Sequence, residues 1–206
     1  MSYATMFVVA VFCAVYFGMA LGRWPGLRVD RTGIAILGAI LLYASEMITG
    51  REVVEAIDWP AILMLFGLMI LSAQFAACNF YDWCSARIAG TRFSPAWVLG
   101  LVVLVAGGLS AVLANDVVVF AMTPMLIRGL SARGLDPRPY LIALAGGANA
   151  GSAATVIGNP QNILIGQAGH LHFWDFLLVC GPPAAFGLAS VWVVVWLVWR
   201  RRLRLG

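Results

Sequence analysis

Nine residues, in two stretches, have the types and spacing to do chemistry inside an otherwise apolar chain. Ser110, Asn115 and Asp116 stand in the middle of one apolar run, and Asn149, Ser152, Thr155, Gly158, Asn159 and Asn162 in the middle of the next. They supply hydroxyl, amide and carboxylate oxygens, and Gly158 is a place where backbone can unwind and free its carbonyls. Such oxygens coordinate a cation, whereas the N-terminus of a short helix presents partial positive charge to an anion. Asp116 is the sole acid at midplane depth, where a charge costs several kcal/mol. Each residue also has a plain structural role open to it. Asp116 could satisfy helix-terminal N–H groups, Asn115 could serve a turn and Asn159 could cap a helix. Ser152 and Thr155 could bond their own preceding carbonyls.

The elements that position these residues follow from composition. Of 206 residues, 62% are hydrophobic and 11% charged, against roughly 25% charged in soluble domains. A chain this apolar cannot cover itself with polar surface, so lipid is its solvent. The net charge is +4, and all thirteen basic residues are arginine. They sit in short gaps between apolar runs, which is the pattern of cytoplasmic loops and not of a nucleic-acid-binding face. Cys13, Cys78, Cys84 and Cys180 lack metal-ligand spacing and read as packing thiols, Cys78 and Cys84 flanking a short link. Residues 1–22 have no basic leader, so they read as an uncleaved first span with the N-terminus outside.

Apolar runs cover Thr5–Gly22, Gly33–Gly50, Pro60–Cys78, Ala96–Ile127, Pro139–Gly169 and Trp174–Trp199. The first three and the last suit single crossings at about 20 residues each. The fourth and fifth, at 32 and 31 residues, do not. If Ala96–Ile127 enters and leaves on the cytoplasmic side, twelve of thirteen arginines are cytoplasmic, with Arg51 alone outside. The run is too short for two crossings. Its second limb, Val117–Ile127, reaches only about 17 Å at helical rise, so a re-entrant hairpin with its polar tip near mid-membrane is expected. The fifth run would extend about 46 Å as one helix. Gly151, Gly158 and Pro160 interrupt it, and Pro160 suits a first helical position behind an Asn159 cap. It reads as one crossing with an unwound centre.

At these residues the chain resembles the ion-transporter superfamily of arsenite permeases, divalent-anion/sodium symporters and citrate-type transporters. "SAVLANDVVVFAMTP" (Ser110–Pro124) is similar to its hairpin motif, with a Ser, an Asn-Asp or Asn-Thr pair and a later Thr-Pro. "ANAGSAATVIGNPQNILIG" (Ala148–Gly166) is similar to its broken-helix motif, and "DWPAILMLFGLMIL" (Asp58–Leu71) also has the family's look. The Asn115-Asp116 pair follows the permease-like branch, where the symporters carry Asn-Thr, which weakens the case for sodium as coupling ion and leaves protons open.

The resemblance implies an all-α integral membrane protein that is a single repeat of an inverted-repeat transporter fold. Five membrane-crossing segments, one a broken helix, are joined by one re-entrant helical hairpin. The whole of 1–206 is expected to be one transmembrane domain: 1–95 scaffold helices, 96–127 hairpin, 139–169 broken helix and 174–199 final span. The implied function is secondary active transport of a small anion, with a proton or sodium as coupling ion and no cofactor, metal or nucleic acid. The expected place is the cytoplasmic (inner) membrane, with the C-terminus cytoplasmic. The expected partners are lipid and a second transporter half or another copy. The alternative is an isolated repeat that regulates such a transporter or is an inactive fragment of one. An intramembrane enzyme is disfavoured, since no Ser/His or Asp/Asp pair lies at membrane depth.

Glu46, near the end of the second run, reads as an interfacial carboxylate, and Gln74 as helix-packing glue. His170 and His172 fall in an external link. Trp24, Trp59, Trp97, Trp174 and Trp199 stand at span ends, as interface anchors do.

Overall fold

In the computed structural model, which describes residues 3–22, 29–91 and 93–203, the chain divides after Asp58 into two units with their own internal packing. Arg23, Trp24, Arg28, Arg92 and Arg204, on which part of the charge and anchor pattern rests, lie outside the described residues.

The first unit holds α1 (Tyr3–Leu21), α2 (Arg31–Ala44) and α3 (Gly50–Glu55). α1 and α2 meet where Gly38 lacks a side chain; a Cβ there would lie 2.3 Å from Val15 Cγ2. Asp30 caps α2 by accepting from the Gly33 N–H at 2.8 Å. Thr49 and Glu52 form a reciprocal capping box at the start of α3. The second crossing was expected over Gly33–Gly50, but α2 stops at Ala44 after 14 residues, about 21 Å at helical rise. The Ser45 hydroxyl turns back to the Leu42 carbonyl, and Glu46 takes a left-handed φ of 56°. Glu46 thus lies in a loop past the helix end.

The second unit holds α4 (Trp59–Ala77), α5 (Phe80–Gly90), α6 (Pro95–Ser110), α7 (Asn115–Ala132), α8 (Arg138–Ser152), α9 (Pro160–Ala168) and α10 (Phe173–Leu203). α1, α4 and α10 are each long and apolar enough to cross a membrane; α2 and α6 are shorter apolar helices. α5 replaces the short link expected between Cys78 and Cys84. Its Tyr81, Cys84, Ser85, Ile88 and Ala89 are buried at helical spacing, and it packs mainly on α7. Gln74 is exposed on α4, so it does not pack between helices.

α6 is enclosed along one side, with Val98, Leu99, Val102 and Ala106 fully buried between α8 and α10. It runs parallel to α8. Tyr140 donates its hydroxyl to Pro95 O at 3.3 Å near their starts, and Gly107 lies against Gly147 and Gly151 near their ends. A Cβ on Gly151 would sit 2.2 Å from Gly107 O, so glycine is what lets these backbones approach. α10 runs antiparallel to both: Leu188 meets Gly107, and Trp192 Nε1 donates to Ala96 O at 3.0 Å.

The second limb of the α6–α7 pair is longer than expected. α7 continues past Ile127 to Ala132, 18 residues or about 27 Å, because Leu130 finds full burial and Gly129 packs on Ala89. At its end Arg133 donates to Ala89 O at 3.1 Å. The open ends of α6 and α7 therefore lie at the same end of the unit. Asp136 joins them to the end of α10, bonding Arg138 at 2.8 Å and Arg202 at 3.5 Å. Both guanidinium groups also lie over the Trp199 ring, at 5.8 and 5.2 Å from its centre. Arg133, Arg138, Arg200, Arg201 and Arg202 thus share one end.

Large apolar side chains cover much of the outside, Phe120 at 84% exposure and Phe186 at 76% among them. This arrangement suits lipid or another protein surface as surroundings. The chain is a multi-pass membrane protein.

Candidate ion and substrate site

The α6–α7 turn and the break between α8 and α9 touch. The turn, residues 111–114, is held from two sides. Thr155 donates its hydroxyl to Ala111 O, and Ser72 of α4 accepts the Ala114 N–H at 3.3 Å. Thr155 and Ser72 are both buried. The two stretches picked out by residue type are therefore adjacent in space.

The break, residues 153–159, is organised around one carbonyl. Asn159 Nδ2 donates to Ser152 O at 3.4 Å, and Asn162 Nδ2 donates to the same oxygen at 3.3 Å and to Thr155 O at 2.8 Å. These bonds satisfy acceptors that unwinding removes from the helix ladder. Gly158 packs so tightly on this carbonyl that a Cβ would lie 2.1 Å from it. Asn159 caps α9, its Oδ1 accepting the Asn162 N–H at 2.8 Å, with Pro160 first in the helix. Ser152 donates back to Asn149 O at 2.9 Å. Ser152, Thr155, Gly158, Asn159 and Asn162 hence brace the break in this conformation.

Asn115, Asp116 and Asn149 are placed differently. They line a cleft of about 700 Å³ between α7 and α8, with Val119, Phe120, Thr123, Pro124, Ala145 and Ala148. Asn115 Oδ1 accepts the Asp116 N–H at 2.9 Å. Among the described residues, the Asp116 carboxylate and the Asn149 carboxamide make no hydrogen bond within the chain, and both side chains are exposed. Asp116 lies in the first turn of α7, where the helix dipole favours a negative charge. It is the one ionisable group in the cleft lining. The arrangement offers a carboxylate and amide and hydroxyl oxygens, which is cation or proton chemistry.

Ser110 is apart from both groups. It is fully buried at the end of α6, and among the described residues its hydroxyl has no hydrogen-bond partner.

Two features escaped the reading by residue type. Ser72, the anchor of the hairpin turn, is signalled only as a lone hydroxyl in an apolar span. Thr123 and Pro124 line the cleft and belong to the quoted hairpin motif. Thr123 donates to Val119 O at 2.7 Å, and Pro124 cannot donate to the Phe120 carbonyl within α7.

The family model described as citrate transporter matches residues 6–205. A putative transporter, arsB, of Dictyostelium discoideum is 30% identical over 178 residues, 86% of this chain and 32% of its own. A silicon efflux transporter of Oryza sativa subsp. japonica is 30% identical over 164 residues, 80% of this chain and 34% of its own. An uncharacterized transporter of Mycobacterium tuberculosis (strain ATCC 25618 / H37Rv) is 28% identical over 197 residues, 94% of this chain and 46% of its own. The chain thus spans from about a third to just under half of the length of these relatives. No solved structure matches it significantly.

Proposed function

The chain belongs to the citrate transporter family, and on that premise we propose that it forms part of a secondary active transporter moving a small anion, coupled to protons or sodium. The observation that carries this reading is the contact between the α6–α7 turn and the α8–α9 break, beside a cleft containing Asp116. Unwound backbone is tolerated at membrane depth only inside protein or against a water-filled cavity. Asp116 is the coupling group. It takes up a proton, or it binds sodium together with oxygens of Asn115, Asn149 and Thr123. The anion needs positive potential, which the N-terminus of α9 offers. Asn159 already caps that terminus, so an anion reaching it displaces the carboxamide.

In this reading α6–α7 is a re-entrant hairpin entered from the cytoplasm. α1, α2, α4, α8–α9 and α10 are the five crossings, with the N-terminus outside and the C-terminus cytoplasmic in the inner membrane. The arginines gathered at one end of the second unit support that orientation. Asp116 and Asn149 are open to the surroundings of the unit, and polar groups at that depth need cover from lipid. A second transporter half or another copy of the chain supplies it.

The test is uptake of citrate, arsenite and silicic acid into vesicles under imposed proton or sodium gradients. The chain is assayed alone and co-expressed with a second half from its own genome. Gradient-driven uptake of at least one substrate is expected from the assembly, and Asp116→Asn should abolish or uncouple it while leaving membrane insertion intact. Coupled uptake at the wild-type rate in that variant removes Asp116 from the mechanism. No uptake by any assembly overturns the transport reading and favours a regulatory repeat.

A further inference from the structure

A second cleft, on the outer side of α6 and α10, is unrelated to the α7–α8 site. It encloses about 550 Å³. Its lining includes Trp97, Gly100 and Leu104 of α6 and Ala185, Ala189 and Trp192 of α10, with the Trp97 and Trp192 rings 6.0 Å apart. Trp97 and Leu104 stand 66% and 64% exposed, so the groove opens away from the bundle. The indole N–H of Trp192 is already donated to Ala96 O, which leaves an apolar, aromatic-walled trough. Its α10 side is formed by Ala185, Leu188, Ala189 and Trp192, one stripe at helical spacing.

The same stripe runs on through Trp196 to Arg200, eleven residues beyond Ala189 and hence about 16 Å further along the helix. Arg200 is exposed and, among the described residues, forms no ion pair. Its neighbour Arg202 is held by Asp136. Ala189 thus lies about one leaflet below Arg200, and Ala185, about 22 Å along the helix, lies about three quarters of the way through a hydrocarbon core of about 30 Å. A guanidinium at the head and an apolar trough one leaflet deep match an amphiphile with an anionic head and a long alkyl tail.

We propose that this groove binds one anionic phospholipid, its phosphate at Arg200 and an acyl chain along Gly100, Ala189 and the Trp97 and Trp192 rings. Arg200 reaches toward the phosphate by extending its apolar stem along the helix. Its charge selects anionic over zwitterionic heads, while Ala185 and Ala189 make the room for the chain and Gly100 makes room for the Trp192 ring.

The test uses the full chain in phosphatidylcholine vesicles containing a minor fraction of phosphatidylglycerol with a photoactivatable group in mid-acyl chain. A matched phosphatidylcholine probe serves as comparison, and adducts are mapped by mass spectrometry. Adducts on the peptides bearing Trp97, Leu104 and Ala189 are expected, favouring phosphatidylglycerol. Arg200→Gln should lower that labelling about fivefold, the factor for about 1 kcal/mol per interfacial arginine. Ala189→Trp, which fills the trough from an exposed position, should remove labelling by both probes. Equal labelling of the wild type by the two probes overturns the proposal, as does an unchanged preference in Arg200→Gln. Chain-to-chain adducts across the groove in place of lipid also overturn it, by naming another copy as occupant.

Discussion

Replacing Gly151 with alanine places a methyl group where the backbone of α6 already is. The added carbon would lie 2.2 Å from Gly107 O, 2.3 Å from Gly107 Cα and 2.5 Å from its carbonyl carbon. All three are main-chain atoms, so no side chain can swing aside, and the helices must separate by about 1 Å to reach ordinary van der Waals contact. α6 has little room to retreat, because Gly107 is itself packed on Leu188 of α10. Overpacking of this kind costs about 1–3 kcal/mol, and the backbone-on-backbone geometry argues for the upper end. Gly108 is the matched control. It lies in the same helix pair, a Cβ there meets nothing within 4 Å, and alanine should gain about 0.5–1 kcal/mol from reduced chain entropy. The two variants should therefore differ by about 3–4 kcal/mol, more than two powers of ten in the unfolding constant. The assay is unfolding of the purified chain by sodium dodecyl sulfate in mixed micelles, followed by tryptophan fluorescence. Gly151→Ala should unfold at a lower detergent fraction than wild type, and Gly108→Ala at the same or a higher one. It should also weaken the Thr155–Ala111 bond, since that pair continues the same register one turn further on. Equal stability of the two variants would refute the claim that glycine-mediated contact sets the spacing of α6 and α8.

Asn162→Asp removes the two donors that satisfy Ser152 O and Thr155 O and sets a carboxylate against them. A loss of about 3 kcal/mol is expected, and Asn162→Ala should lose less; faster hydrogen exchange at residues 153–159 reads both. The Asp136 carboxyl is held down at about 2, against an ordinary 3.8, first by hydrogen bonds from the Arg138 side chain, then by the Arg138 backbone N–H, the Arg138 charge and a hydrogen bond from Arg202. Because the folded value lies below the unfolded one, the stabilisation is fully present above about pH 4 and is lost as pH falls through about 2. The Arg138–Asp136–Arg202 clasp should therefore hold constant from pH 8 to 5, as read by energy transfer between the α7–α8 loop and the end of α10. Asp136→Asn should abolish the acid response. In a cysteine-free background, single cysteines at Phe93 and Ser131 should be labelled from the same side, the cytoplasm. Labelling from opposite sides rules out the re-entrant hairpin.

The chemistry of the α8–α9 break was legible from local residue types. Asn159 caps and Pro160 starts α9 as the one-dimensional pattern requires, because capping and proline geometry act within a few residues. Lipid as solvent was equally legible, since composition decides it. The α6–α7 turn was legible too, because polar residues stand at the centre of the apolar run, although α7 is longer than the run's length suggested. α5 was not: its buried stripe is short and acquires a partner only when α7 lies against it. Nor could residue type divide the nine candidates. Asn149 and Asn162 are both asparagines of one motif, yet Asn162 is spent on two carbonyls while Asn149 faces the cleft. That division depends on which backbone groups the break leaves bare and which helix stands opposite. Both are set by the close parallel packing of α6 on α8 through Gly107, Gly147 and Gly151. Contacts between residues forty or more positions apart made those choices, and local propensity carries no information about them.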